Sequence, residues 1–137
     1  MHFLSRLVSI LRPSIAFGLV FVLCAQSAAA QGAPQPPAEL EHTLKTMLSA
    51  MQSQSLPDFV AAGDANFKST MTKEMLASGS SRLAPRLARG YTDTFLGSLN
   101  QQGYTFYLWK LQFKDGQDDQ LVTMQVKDGK VGGFFLR

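Results

Sequence analysis

The sequence contains a single cysteine, Cys24. It lies within an apolar segment near the N-terminus, so the rest of the chain has neither a disulfide pair nor a thiol nucleophile. Leu23 occupies the position where a lipoprotein signal needs a small residue, and we therefore expect no lipid on Cys24. Without covalent cross-links, the fold must be stabilised by side-chain packing.

The N-terminal apolar run is too short to span a membrane comfortably. It covers residues 15–25, whereas a spanning helix needs about 20 residues. Arg6 and Arg12 precede it without any acidic residue, and Ala28 and Ala30 follow it in the small-x-small pattern of a cleavage site. These features predict a secretory signal peptide over residues 1–30, against the alternative of an uncleaved anchor. We expect the processed protein to be periplasmic or secreted, with no membrane attachment.

The processed chain lacks a strong charge of either sign. The formal net charge of +3 falls to +1 when Arg6 and Arg12 are removed with the signal peptide. A nucleic-acid groove needs clustered Lys and Arg residues, so we predict no nucleic-acid partner. The one basic cluster, Arg82, Arg86 and Arg89, has spacings that place its side chains on one helical face. We interpret it as a solvated face, with a patch for an anion or an acidic partner as the alternative.

Recognisable catalytic and metal-binding motifs are absent as well. His42 is the only histidine of the processed chain, and no partner ligands stand at metal-binding spacing from it. Asp115, Asp118 and Asp119 share one loop, but this loop lacks the alternating acids and terminal glutamate of a calcium-binding loop. The sequence has no glycine-rich phosphate loop and no Ser-His-Asp arrangement. We therefore predict no metal and no cofactor.

Helical patterns occupy the first half of the processed chain. Residues 31–38 contain three prolines and predict an extended linker. Residues 39–54 predict a helix, because their apolar residues fall on one stripe. That stripe comprises Leu40, Leu44, Met47, Leu48 and Met51. A short helix should follow Ser55, and residues 64–67 are interpreted as a connector with Asp64 as a turn residue.

A third helical region should begin at Thr72 and end at Gly90. Gly79 and Pro85 are expected to interrupt it, because proline removes a backbone donor and clashes with the preceding turn. Its predicted apolar face comprises Met75, Leu76, Leu83, Leu87 and Ala88.

Four strand-like runs occupy the second half, at residues 91–99, 104–113, 120–126 and 131–136. The second run is the richest in aromatic and β-favouring residues and predicts the central strand. Asp128-Gly129 is typical of a two-residue type I′ hairpin turn. If this turn sets the register, Val126 lies opposite Val131, and Val122 lies opposite Phe135. If Lys114 pairs with Asp119 across the loop at residues 114–119, Trp109 lies opposite Met124.

This register predicts a sheet with two apolar faces. The face beneath the helices comprises Tyr107, Trp109, Leu111, Phe113, Val122, Met124, Val126, Val131 and Phe135. The other face carries Phe106, Leu108, Leu121, Phe134 and Leu136 among polar residues. A solvated face of an antiparallel sheet should be more polar, so we expect part of this outer face to be buried in a homodimer. The predicted fold class is α+β, a single domain over residues 39–137 with N-terminal helices packed on a curved four-stranded antiparallel meander.

The order of elements resembles the nuclear-transport-factor-2-like, or cystatin-like, superfamily. The best-matching stretches are Gly-Tyr-Thr-Asp-Thr-Phe-Leu-Gly at 90–97, Gly-Tyr-Thr-Phe-Tyr-Leu-Trp-Lys at 103–110 and Asp-Gly-Lys-Val-Gly-Gly-Phe at 128–134. They are similar to those of small secreted bacterial members of unassigned function. The resemblance implies a cone-like sheet wrapped around a long helix. The superfamily includes enzymes, ligand binders and dimerisation modules, and fold does not choose among them.

The aromatic sheet face and the lack of ionisable clusters favour a non-enzymatic function. We expect an exported domain that binds a small apolar molecule or a protein partner. The candidate ligand-binding residues are Trp109, Tyr107, Tyr91 and Met124. The alternative that the resemblance implies is a cone-type lyase or isomerase, with Asp64 or Asp93 as base and a tyrosine as donor.

Overall fold

The computed structural model describes residues 32–137. The predicted signal peptide lies outside the described residues. Five helices come first: α1 (Ala38–Ser53), α2 (Leu56–Val60), α3 (Ala65–Thr70), α4 (Lys73–Ser80) and α5 (Ala84–Arg89). Four strands follow: β1 (Tyr91–Gln101), β2 (Tyr104–Phe113), β3 (Gln120–Lys127) and β4 (Lys130–Leu136). They form one antiparallel sheet in the order β1-β2-β3-β4, which confirms the predicted α+β class.

Helix α1 packs its apolar stripe on the sheet. The stripe residues are all buried, as predicted. Residues 32–37 are neither helix nor strand, and the helix begins after Pro37, whose carbonyl oxygen accepts hydrogen bonds from the amides of Leu40 and Glu41. It ends at Gln54, which adopts the left-handed conformation with φ 55°.

Residues 65–67 are helical, so the interpretation of residues 64–67 as a connector is wrong. Asp64 caps α3, because its carboxylate accepts a 2.7 Å hydrogen bond from the amide of Phe67. This capping bond satisfies one of the free amides at a helix start. It stabilises a short helix in a segment whose local sequence predicts a loop. The expectation that Asp64 bonds to nearby backbone is confirmed.

The third helical region is divided in two, as Pro85 predicts. Thr72 caps α4 by accepting from the amide of Met75, and Pro85 lies in the first turn of α5. Gly79 does not interrupt α4 but lies inside it. Leu76, Leu83 and Leu87 are buried. Two members of the predicted apolar face are exposed instead, namely Met75 and Ala88.

The register between β2 and β3 differs from the prediction by two residues. Trp109 pairs with Val122 rather than with Met124, and Leu111 pairs with Gln120. The loop after Phe113 therefore does not place Lys114 opposite Asp119, as the prediction assumed. An even shift leaves every side chain on its predicted face, and Trp109, Val122 and Met124 all lie in the core beneath the helices.

Two bulges change which residues face outward. Gly132 is the extra residue of a bulge in β4, so Phe134 pairs with Met124 and Leu136 pairs with Val122. The predicted face of Phe135, Phe134 and Leu136 is therefore wrong: Phe135 points outward, and the other two pack against the core. A bulge exchanges the faces of the residues that follow it. A second bulge lies at Leu96 in β1, and it places Leu99 opposite Phe106 on the outer face.

The core is one contiguous cluster between the helices and the inner sheet face. It contains Trp109, Leu44, Met47, Leu48, Leu111, Met124, Val122 and Val131, each nearly inaccessible to solvent. Across residues 32–137, no helix has the length and apolar character needed to cross a membrane.

Candidate functional site

The aromatic wall of the core lies on β1 and β2. Trp109 packs against Phe95 with ring centroids 5.3 Å apart and against Tyr107 at 6.2 Å, and Phe95 lies 6.4 Å from Tyr107. Trp109 has no exposed surface, and its indole Nε1 has no hydrogen-bond partner within the described chain. Met124 is equally inaccessible. At this point the interior is filled by side chains rather than open to a ligand.

Two clefts lie at the rim of this wall. The first, of about 500 Å³, lies between the start of α1 and the strand ends and includes Tyr107, Thr43 and Lys127. The second, of about 200 Å³, lies between residues 33–36 and β1 and includes Trp109 and Asp93. Tyr107 lines the first cleft but not the second, and Trp109 lines the second but not the first. The predicted ligand-binding set is thus spread along the inner face, and its role stays a prediction.

Tyr91 lies at the start of β1, opposite Phe113. It is half-buried, and this burial, together with the negative charge of Asp93, raises the pKa of its phenol above the ordinary value. Lys45 stands close by and donates a 2.7 Å hydrogen bond to Glu41, which raises the pKa of the lysine. Both groups are held in their protonated forms, so Tyr91 is a hydrogen-bond donor and Lys45 a cation at neutral pH.

The two candidate catalytic carboxylates lie in different places. Asp64 is engaged in capping α3. Asp93 lies on the inner face of β1 opposite Leu111 and lines the smaller cleft. Within residues 32–137, no three His, Cys, Asp or Glu side chains are grouped so that they could hold a metal ion.

Arg86 is not solvated, which corrects the interpretation of the arginine cluster. Its guanidinium donates to the carboxylate of Asp115 at 2.8 Å and to the carbonyl oxygen of Asp118 at 2.7 Å. It also lies 3.9 Å above the ring of Phe113. Asp115 is almost inaccessible, whereas Arg82 and Arg89 are exposed. The sequence spacing could not show this pair, because its partners are 29 positions apart.

The outer face of the sheet is an apolar surface that the helices leave uncovered. A depression of about 300 Å³ crosses all four strands. Its apolar lining comprises Leu99, Phe106, Leu108, Leu121 and Phe135. Leu96, Leu99 and Phe135 are 50%, 46% and 44% exposed. The sequence analysis left Leu99 unassigned and placed Phe135 on the wrong face, because bulges determine the faces of both; Gly97 and the Gly132-Gly133 pair, which adjoin the bulges, were the available signals.

A scan against protein-family models finds no matching family, and a search of curated proteins finds no match. Among solved structures, the chain is similar to an uncharacterized cystatin-fold protein from Novosphingobium aromaticivorans. The identity is 17%, the match covers 74% of this chain and 99% of that chain, and the TM-score is 0.37.

The chain is also similar to an NTF2-like protein of unknown function from Cytophaga hutchinsonii. Here the identity is 6%, the coverage is 75% of this chain and 91% of that chain, and the TM-score is 0.39. The likeness concerns the fold alone, and the α+β class rests on this chain's own element order and register.

Proposed function

We propose that the protein is an exported, non-enzymatic interaction domain that self-associates through the outer face of its sheet. The observation that carries this proposal is the row of apolar side chains across all four strands, in which Leu99 and Phe135 are exposed and Phe106, Leu108 and Leu121 are half-buried. A solvated sheet face is normally polar, and contiguous exposed apolar surface marks an interaction site. The partner is a second copy of the chain.

The charges at the rim of the outer face suit a two-fold arrangement. Lys110 and Asp119 lie there 3.6 Å apart, each about 40% exposed. A two-fold axis brings the same patch of both copies together. A patch that carries both signs can therefore exchange its ion pairs with its own copy, whereas a patch of one sign would repel it.

The size of the face indicates a weak dimer. The shortest strand has seven residues, and strands rise about 3.3 Å per residue and lie about 4.8 Å apart, so four strands cover roughly 450 Å². Stable interfaces bury about 800 Å² per partner. We therefore expect a dimer that dissociates at micromolar concentrations rather than an obligate one.

The filled interior supports protein contacts over the binding of a small apolar ligand. Trp109 and Met124 leave no open cavity at the centre of the inner face. The rim clefts include charged groups such as Glu39, Lys127 and Asp128, which do not favour an apolar molecule.

The alternative of a lyase or isomerase has less support. Asp64 already serves as a helix cap. Asp93 faces a cleft of about 200 Å³, whereas ligand pockets span about 300–1,000 Å³. A base in an apolar pocket would favour an enzyme, but the cleft beside Asp93 also contains the carboxylate of Glu41.

Sedimentation velocity over a concentration series tests the dimer. The wild type should shift from monomer to dimer across the micromolar range. Leu99→Lys should remain monomeric, because it places a charge within the apolar row. Ser49→Lys is the matched control, since it adds the same charge at an exposed position of α1, and it should behave as the wild type. A wild type that stays monomeric at the highest concentration contradicts the proposal.

A further inference from the structure

The free edge of β4 presents unpaired backbone groups. Arg137 and Leu121 exchange two hydrogen bonds, of 2.9 and 2.8 Å. In an antiparallel pair, such doubly bonded pairs alternate with pairs that make no mutual bonds. Leu136 and Phe134 are therefore non-bonded partners of Val122 and Met124, and their N–H and C=O groups point away from β3. Within residues 32–137 these outward groups have no hydrogen-bond partner.

The same edge already pairs with extended backbone at its start. The amide of Val131 donates to the carbonyl oxygen of Ala62 at 3.0 Å, and the amide of Asp64 donates to the carbonyl oxygen of Val131 at 2.9 Å. This is a parallel bridge centred on Gly63. The chain then turns into α3, and the edge beyond Val131 makes no further backbone hydrogen bond with this segment. The edge is thus able to accept a further extended segment.

An apolar groove lies beside the unpaired part of the edge and is lined by Phe134 and Leu136. We call it the methionine groove; it is formed by Met51, Met71, Met75, Phe59, Leu76 and Phe134, and its volume is about 320 Å³. The ring of Phe134 packs edge-on against Phe59 at 5.6 Å and forms part of the groove. Met75 is 53% exposed although it is apolar. Methionine side chains adapt to different apolar partners, and such surfaces are common in promiscuous binding sites.

We propose that the β4 edge and the methionine groove together bind an extended peptide segment of another protein. The segment adds a strand to the sheet by bonding to the backbone of Phe134 and Leu136, and its alternate apolar side chains enter the groove. Backbone pairing supplies affinity and the groove supplies selectivity, as in other cases of strand addition. Arg137 is the one charged residue among those that line the groove, so the segment carries a carboxylate near this end.

Amide hydrogen exchange gives the direct test. In the free protein, the amides of Phe134 and Leu136 should exchange fast, whereas those of Phe135 and Arg137, which bond to β3, should be protected. The probes are synthetic heptapeptides in which leucine or valine alternates with threonine and one end carries an aspartate. A peptide that binds should protect the amides of Phe134 and Leu136 and leave the protection of Phe135 unchanged.

Two matched pairs of variants separate the groove from the backbone edge. Met75→Glu should weaken peptide binding about tenfold, because it removes apolar contact worth over 1 kcal/mol. Ser78→Glu, which makes the same change of charge at another exposed position of α4, should not. Leu136→Pro should weaken binding more than Leu136→Ala, since only proline removes the outward amide and this amide makes no bond to β3.

Three results would overturn the proposal. One is the absence of saturable binding by every peptide up to about 1 mM, the range of the weakest specific contacts. Another is binding without protection of the Phe134 and Leu136 amides, which would place the peptide elsewhere. The third is protection of these amides by raising the protein concentration alone, which would make a second copy the occupant of the edge.

Discussion

Trp109 is the largest fully buried side chain of the inner sheet face. It is the only tryptophan of the sequence and has no exposed surface. Trp109→Ala should lower the free energy of unfolding by about 3–5 kcal/mol, the range for large aromatic residues in cores. Trp109→Phe should cost clearly less, because it keeps an aromatic ring and removes the unbonded Nε1 donor; burial of such a donor costs about 1–3 kcal/mol.

Urea denaturation followed by far-ultraviolet circular dichroism measures both variants, since neither has a tryptophan to follow. If both variants lost the same free energy of unfolding, the result would contradict the view that the unpaired indole nitrogen destabilises the fold. The wild type should also show blue-shifted tryptophan emission. Emission near that of free tryptophan would contradict its complete burial.

At the scale of elements, the Arg86–Asp115 pair joins α5 to the loop between β2 and β3. The hydrogen bond from Arg86, reinforced by the amide of Gln117, holds the pKa of Asp115 below its ordinary value. A carboxylate with a depressed pKa stabilises the fold in full above about pH 4, the unfolded value of aspartate. This contribution is lost as the pH falls further, through the lower pKa of the folded state.

The melting temperature of the wild type should therefore fall between about pH 5 and pH 3, partly through this pair. Arg86→Gln should melt lower than the wild type at neutral pH and lose less on acidification, because the guanidinium that depresses the pKa is gone. Arg82→Gln is the control: Arg82 is exposed, so its replacement should leave both quantities unchanged. If the two variants behaved identically, the interpretation of Arg86 as a solvated residue, which its spacing suggests, would be correct.

At the scale of the whole molecule, the described domain has two surfaces that we expect to bind different partners. The outer sheet face is expected to bind a second copy, and the β4 edge is expected to bind a peptide. Phe135 and Arg137 line both the outer depression and the methionine groove, so the two surfaces adjoin. Leu99 does not line the methionine groove, so Leu99→Lys should reduce dimerisation without reducing peptide binding.

Processing is the prediction that concerns the full chain. The basic residues, the apolar run and the small residues near Ala30 predict that the exported protein begins at about Gln31, without an acyl group. Intact-mass analysis of protein from the periplasm or the medium of an expressing bacterium should give the mass of residues 31–137. A retained N-terminal segment, or the added mass of a lipid, would show that the signal interpretation is wrong.

Local periodicity and turn chemistry were enough to predict part of the fold. The stripe of α1, the division at Pro85, the strand β2 and the hairpin turn at Asp128-Gly129 all follow from neighbours in the chain, and the structure confirms each. The face of Trp109 was also predictable, because a shift of two residues in register changes no face.

The residues that form the two surfaces could not be predicted, because they depend on contacts between distant segments of the chain. Each bulge inserts one residue and reverses the faces beyond it, and whether a glycine pair forms a bulge depends on the strand beside it. Phe135 and Leu99 therefore lie on the outer face because of bulges that the local sequence does not predict. The Arg86–Asp115 pair and the free edge of β4 likewise depend on segments that are distant in sequence and meet only in the folded chain.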